Sequence, residues 1–223
     1  MQCAVIFDVD GVLVDSGPAH HESWRNVAAR HGIDVTAERF ASTFGRPSRD
    51  IIRLLWGAQL DDRRVQAIDD EKEAAYRELV RGRLPLMPGC RETLARLRSA
   101  GLALAVATSG PPENLALVLD EGGLRPYIAA SVHGFDVARG KPAPDCYRLA
   151  AERLEIDPRC CLVVEDAPVG VQAGTAAGMT VVGLAAPPGD RRLLDAGAVR
   201  TVGTLIEVEP ALVDQLLARC ADV

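Results

Sequence analysis

Ala4-Val5-Ile6-Phe7-Asp8-Val9-Asp10-Gly11 decides the fold. Four apolar residues run unbroken into two carboxylates that flank a single valine, and then into glycine. A short, continuous apolar run, rather than an alternating one, is how a strand buried on both faces of a parallel sheet reads. Runs of the same kind recur at 102–107, 128–132, 161–164 and 180–184, with a weaker one at 199–202. Helical periodicity fills the intervals at 91–100, 113–121, 145–154 and 169–177. Strands alternating with helices of this length predict crossover units and an α/β, doubly wound parallel sheet.

One interval breaks the rhythm. Between residues 17 and 82 there is no strand signal, and helical patterns occupy 19–31, 49–56 and 61–80. Asp15-Ser16-Gly17-Pro18 and Gly82-Arg83-Leu84-Pro85 punctuate its two ends. The expectation is a Rossmann-like core of residues 1–15 and 84–223 with a helical cap, residues 16–83, inserted after the first strand. Flexible punctuation at both ends suits a cap that opens and closes.

Composition removes several classes of function. In 223 residues the longest apolar runs stay far below the 18 needed to span a bilayer, so no membrane partner is expected. The formal charge is −6, no basic stripe exists and aromatics are 4% of the chain, which together argue against nucleic acid. The N-terminus has neither the charged nor the apolar region of a signal peptide, and the six cysteines form no CxxC pair. Reduced thiols and a cytoplasmic location are the corresponding expectations. Lys72 and Lys141 are the only lysines among 25 basic residues, so each invites its own question.

In an open α/β sheet, ligands bind beyond the carboxyl ends of the strands. The residues that follow the strands here are Asp8 and Asp10, then Thr108 and Ser109, then Glu165 and Asp166, with Lys141 in the Gly140–Asp145 loop between the third and fourth. Clustered carboxylates repel one another unless a cation joins them, and an all-oxygen donor set suits Mg²⁺. A metal beside Lys141 and Thr108 makes a site for a phosphoryl dianion. One aspartate can attack phosphorus, and a second, two residues on, can protonate the leaving oxygen and later activate water. Gly11 allows the sharp backbone turn that lets both address one centre. Each piece alone has a bland reading: Thr108-Ser109 as a helix cap, Lys141 as a solvated charge, Glu165-Asp166 as a cap for the helix after Pro168. Their joint arrival at successive strand ends favours chemistry.

The four segments FDVDGVLVDS (7–16), ATSG (107–110), GKPAPD (140–145) and VVEDAPVG (163–170) resemble the four motifs of the haloacid dehalogenase superfamily of phosphotransferases. The likeness spans the whole chain, inserted helices included, and within the superfamily points to the beta-phosphoglucomutase-like and sugar-phosphatase group. It implies a five-stranded core order, Asp8 as nucleophile and Asp10 as general acid/base. It also implies Mg²⁺ held by Asp8, the Asp10 carbonyl and Asp166 with Glu165 close by, and phosphate held by Thr108, Ser109 and Lys141. Asp10 argues against carbon–halogen cleavage, whose members lack it. The early cap offers Arg46, Arg49 and Arg53 but no lysine for the Schiff base of phosphonate-cleaving members.

The implied activity is a Mg²⁺-dependent phosphoric monoester hydrolase acting on a small phosphorylated metabolite, a sugar phosphate, through an aspartyl phosphate. The expected assembly is a monomer or weak homodimer. His20, Trp24 and Gly45…Ser48-Arg49 also resemble beta-phosphoglucomutase, in which the histidine couples cap closure to the acid/base aspartate and the arginine grips the far phosphate. His20 and Arg49 are the substrate residues this suggests. Phe44 stands where that mutase has a lysine, which favours phosphatase over mutase. A phospho-acceptor receiver domain also uses Asp, Thr, Lys and Mg²⁺, but receivers are about half this length and lack a helical insertion.

Overall fold

The computed structural model describes residues 2–36, 38 and 48–218. The chain divides into two compact units, Met1–Asp15 with Pro85–Val223, and Ser16–Leu84.

The first unit is built on six parallel strands, β1 (Ala4–Phe7), β2 (Ala103–Ala107), β3 (Ala130–Val132), β4 (Cys161–Glu165), β5 (Thr180–Leu184) and β6 (Arg200–Val202), in the order β3-β2-β1-β4-β5-β6. The apolar runs form strands because both faces are covered. All four residues of β1 are fully buried, and burial of a side chain such as Phe7 stabilises by about 1.5–3 kcal/mol. The sixth strand departs from the five expected by resemblance: β6 pairs with β5 from Val182↔Arg200 to Leu184↔Val202, at an edge where its first residue is exposed. Chain order reverses between β1 and β4, which is where an open sheet parts its loops and admits ligands. The register pairs Phe7 with Val106 and with Val164, so the next residue of each strand, Asp8, Ala107 and Glu165, stands at one level.

The second unit contains α1 (Gly17–Arg30), α2 (Ser48–Trp56) and α3 (Asp62–Val80). Trp24, Val27, Ile51, Ile52, Leu55, Val65 and Ile68 form its apolar core. Asp61 caps α3 by accepting from the Arg64 amide at 2.7 Å, and His31 ties the end of α1 to α3 through a 3.1 Å contact with Glu71. Phe44, Gly45 and Arg46 lie outside the described residues.

In the first unit, helices α4 (Cys90–Ser99), α5 (Pro112–Glu121), α6 (Asp145–Leu154), α7 (Pro168–Ala176), α8 (Arg191–Asp195) and α9 (Pro210–Leu216) flank the sheet. One buried cluster joins Ile6, Ala105, Val132 and Val163 of the sheet to Tyr147 and Ala150 of α6 and Val171 of α7. Cys3, Cys90, Cys146 and Cys161 are free thiols, whereas Cys160 is disulfide-bonded, which corrects the expectation of six reduced cysteines. Cys220 lies outside the described residues. Among the described residues no helix is long and apolar enough to cross a membrane.

Candidate active site

The common level of Asp8, Ala107 and Glu165 has one occupant at its centre. The Lys141 ammonium donates to Asp8 Oδ1 at 2.6 Å, to Glu165 Oε1 at 2.6 Å and to the Ala107 carbonyl at 3.3 Å. Its side chain is only 7% exposed, so it is a buried charge rather than a solvated one. Three adjacent strands therefore present one acceptor each to a lysine brought in by the loop before α6.

Asp8, Glu165 and Asp166 carry ligand-capable oxygens that all lie within 4.8 Å of one another. Asp8 is 6% exposed and Glu165 1%. Burial pushes the Asp8 carboxyl well above its usual range, against the pull of Lys141 and with the push of Glu165, Asp166 and Asp10. Burial and the Glu165 charge raise Asp166 to about 7. Burial would lower Lys141, but Asp8 and Glu165 outweigh it and hold the ammonium well above its usual value. The physical content is an excess of negative charge: three carboxylates share one cation, and a second cation would relieve the repulsion.

Gly11 shapes the same spot. It sits at φ +78°, and a β-carbon there would come within 2.0 Å of Asp166 Oδ2. Only glycine lets the turn after β1 press its backbone against that carboxylate. The turn is closed by Gly11 N–H to the Val14 carbonyl at 2.8 Å. The donor set is all oxygen, crowded and short of positive charge, and it fits Mg²⁺. Asp10 is half-buried on this turn; a β-carbon on Gly110 would lie 3.9 Å from Asp10 Oδ2 and 3.3 Å from Thr108 Oγ1. Asp10 and Thr108 therefore both approach Gly110.

Thr108 caps no helix: α5 is capped at Pro111 without a side chain, and the buried Thr108 hydroxyl accepts from Gly110 N–H at 3.0 Å. Ser109 is exposed beside it. Neither Glu165 nor Asp166 caps α7, whose N-cap residue, Ala167, makes no side-chain cap bond; Glu165 Oε2 instead accepts from Ala167 N–H at 3.0 Å.

The structure also brings in a residue outside the four motif segments. Tyr147 of α6 is fully buried, and its hydroxyl donates to Glu165 Oε1 at 2.9 Å. Burial and the Glu165 charge raise its pKa well above the usual value, so the proton stays on the phenol.

His20 and Arg49 belong to the helical unit. His20 stacks on Tyr76 with ring centroids 4.1 Å apart, and its Nδ1 lies 2.9 Å from the Lys72 ammonium. Lys72 is 3% exposed, bonds Glu73 at 2.7 Å and lies 5.3 Å from the centre of the Trp24 ring. The signal was present in the sequence, because Lys72 falls on the stripe Val65, Ile68, Ala75 that the helical period buries. Arg49 is exposed and donates to Gln66 Oε1 at 3.1 Å.

Comparison with known proteins gives an independent view. Residues 4–178 match the family model of the haloacid dehalogenase-like hydrolases. The chain is 35% identical over 205 residues to the "phosphorylated carbohydrates phosphatase" of Thermotoga maritima, covering 89% of this chain and 93% of that one. It is 30% identical over 188 residues to the beta-phosphoglucomutase of Bacillus subtilis, covering 81% and 82%. A solved hydrolase of the same superfamily from Entamoeba histolytica superposes with a TM-score of 0.88 at 26% identity, over 98% of this chain and all of that one.

Proposed function

Because the chain belongs to the haloacid dehalogenase-like hydrolase family, we propose that it is a Mg²⁺-dependent phosphatase of small phosphorylated carbohydrates that works through an aspartyl phosphate on Asp8. The observation that carries the proposal is the buried lysine clamped at 2.6 Å between Asp8 and Glu165, with Asp166 alongside, at the strand ends of the switch point.

In this reading Asp8 is the nucleophile. Its carboxylate oxygen forms a bond to phosphorus while the bond from phosphorus to the sugar oxygen breaks. Asp10 gives its proton to that departing oxygen, so the sugar leaves as a neutral alcohol. Lys141 and the Thr108 hydroxyl hold the non-bridging phosphoryl oxygens, with Ser109 beside them on the same loop. Asp10, now a carboxylate, takes a proton from water as the water attacks phosphorus, which frees inorganic phosphate and restores Asp8. Asp8, Asp166 and the Asp10 carbonyl, with Glu165 close by, would hold Mg²⁺, which would supply positive charge that lowers the repulsion between carboxylate and phosphate. Burial keeps the Asp8 carboxylate poorly hydrated, which raises its reactivity once it is ionised. His20 and Arg49, on the unit without the carboxylate cluster, would recognise the part of the substrate remote from phosphorus.

The beta-phosphoglucomutase relative supports a second reading, a phosphosugar mutase. A single experiment separates the two. The full chain is assayed for phosphate release from hexitol phosphates, hexose phosphates and an aryl phosphate, with Mg²⁺ and with chelator. Hexose 1-phosphate is tested alone and with a hexose 1,6-bisphosphate. The phosphatase reading expects Mg²⁺-dependent phosphate release without any bisphosphate, and none in chelator. Conversion of hexose 1-phosphate to 6-phosphate only when the bisphosphate is present would favour the mutase.

A further inference from the structure

We propose that Tyr147 is a positioning residue for phosphoryl transfer: by holding Glu165, its hydroxyl fixes the direction in which Lys141 presents its ammonium to the phosphate. The inference rests on the phosphatase reading and adds to it a residue outside the four motif segments.

A lysine head on four methylenes is a mobile point charge, and its aim depends on what surrounds it. Glu165 is the surrounding group that is itself held on every side. Its Oε1 accepts from Lys141 at 2.6 Å and from the Tyr147 hydroxyl at 2.9 Å, and its Oε2 accepts from Ala167 N–H at 3.0 Å. Behind it, a β-carbon on Gly170 would come within 1.6 Å of Oε1, so the helix backbone of α7 wedges the carboxylate in place. The Tyr147 ring also lies 4.9 Å from the Lys141 ammonium. Tyr147 thus touches both members of the pair, and Lys141 carries the arrangement on to Asp8 at 2.6 Å.

Packing alone does not call for a hydroxyl here. Tyr147 belongs to an apolar cluster with Ile6, Ala105 and Val163, where phenylalanine would fill the same volume without a polar group to satisfy. The hydroxyl is accounted for by its carboxylate partner, in a site where a small error of aim costs rate.

The test is Tyr147→Phe in the full chain, which keeps the ring and removes one hydrogen bond to a charged group. Binding of inorganic phosphate in the presence of Mg²⁺ is measured by calorimetry, and kcat and KM are measured on a hexitol phosphate and an aryl phosphate. Loss of a charge-assisted hydrogen bond that acts through a neighbour is expected to weaken phosphate binding by roughly threefold to tenfold and to lower kcat by about tenfold on both substrates. Calorimetry separates positioning from folding, because the affinity reports the intact site and the stoichiometry reports the folded fraction. Phosphate affinity and kcat within about twofold of wild type overturn the proposal, as does a lowered stoichiometry with unchanged affinity. If wild type itself neither binds phosphate nor releases it from esters, the phosphatase reading fails first and the inference with it; if wild type does both and the variant matches it, only the inference fails.

Discussion

The two lysines of this chain sit in two regions that solve the same problem differently. Each is buried, and each has an acidic partner within 2.7 Å: Lys141 between Asp8 and Glu165 in the sheet unit, Lys72 against Glu73 in the helical unit. Around Lys141 the partners come from three strands whose register sets their level, and the cluster retains more carboxylates than cations. Around Lys72 stand the Glu73 carboxylate, the imidazole of His20 and the faces of Trp24 and Tyr76, and the Asp69 carboxyl feels the charges of both Lys72 and Glu73. The first region is over-supplied with negative charge and calls for a cation and a phosphoryl group. The second also sets carboxylates beside its lysine, but it is lined with rings, an environment suited to packing and shape. Chemistry common to all substrates is expected from the first region, and discrimination among substrates from the second unit.

The sharpest way to break that contrast uses Arg49. Its guanidinium is exposed and donates to the neutral amide of Gln66, and among the described residues it forms no pair with Asp50, so its charge is available to a ligand. Arg49→Ala is expected to lower kcat/KM on a phosphosugar by roughly tenfold to a hundredfold, the value of about 1.5–3 kcal/mol for a charge-assisted contact. On a small aryl phosphate it should have little effect. Equal losses on both substrates, or no loss on either, would erase the division between the two regions.

A smaller effect should appear in stability. Asp166 is raised to about 7 in the folded state, against about 4 in an unfolded chain, and Asp8 is raised as well. A carboxyl with a raised folded pKa holds its proton more tightly when folded. Its contribution is therefore present below pH 4 and is lost as pH climbs through 7. Without divalent metal the unfolding free energy should fall between pH 5 and pH 8, by at most about 1.4 kcal/mol per pH unit for each such group, and the melting temperature should fall with it. Mg²⁺ should raise it more at pH 8 than at pH 5, since it binds the ionised carboxylates. Thermal melts at both pH values, with Mg²⁺ and with chelator, check this; metal stabilisation that is equal at the two would show that the repelling carboxylates are not the metal site.

How far this was readable from sequence follows from what fixes each feature. Strands β1, β4 and β5 were legible because continuous burial leaves an unbroken apolar run, and the residues after them were legible because a parallel sheet places its carboxyl ends together. Element ends were less so. The run at 128–132 becomes a strand only from Ala130, since a short 3-10 turn, Arg125–Tyr127, precedes it, and the weak run at 199–202 adds a sixth strand to the five expected. Nothing in the sequence singles out Tyr147, because helical period alone cannot tell a packed ring from a packed ring with an aimed hydroxyl. Lys72 stands out as a charge on a buried stripe, but two of its partners, His20 and Trp24, come from another helix, His20 from 52 residues away, and helix packing leaves no local trace.

The central claim is that Asp8 takes the phosphoryl group, and Asp10→Asn gives the most direct test of it. This variant lacks the group that activates water, so an acyl phosphate on Asp8 should persist. Acetyl phosphate is the donor of choice, because its acetate leaving group needs no proton from residue 10. After incubation with Mg²⁺ and acid quench, peptide mass spectrometry should find a phosphoryl adduct on the peptide carrying Asp8 in Asp10→Asn, and none when Asp8→Asn is added to it. A phosphoryl adduct on any other residue, or equal labelling with and without Asp8, would contradict the account.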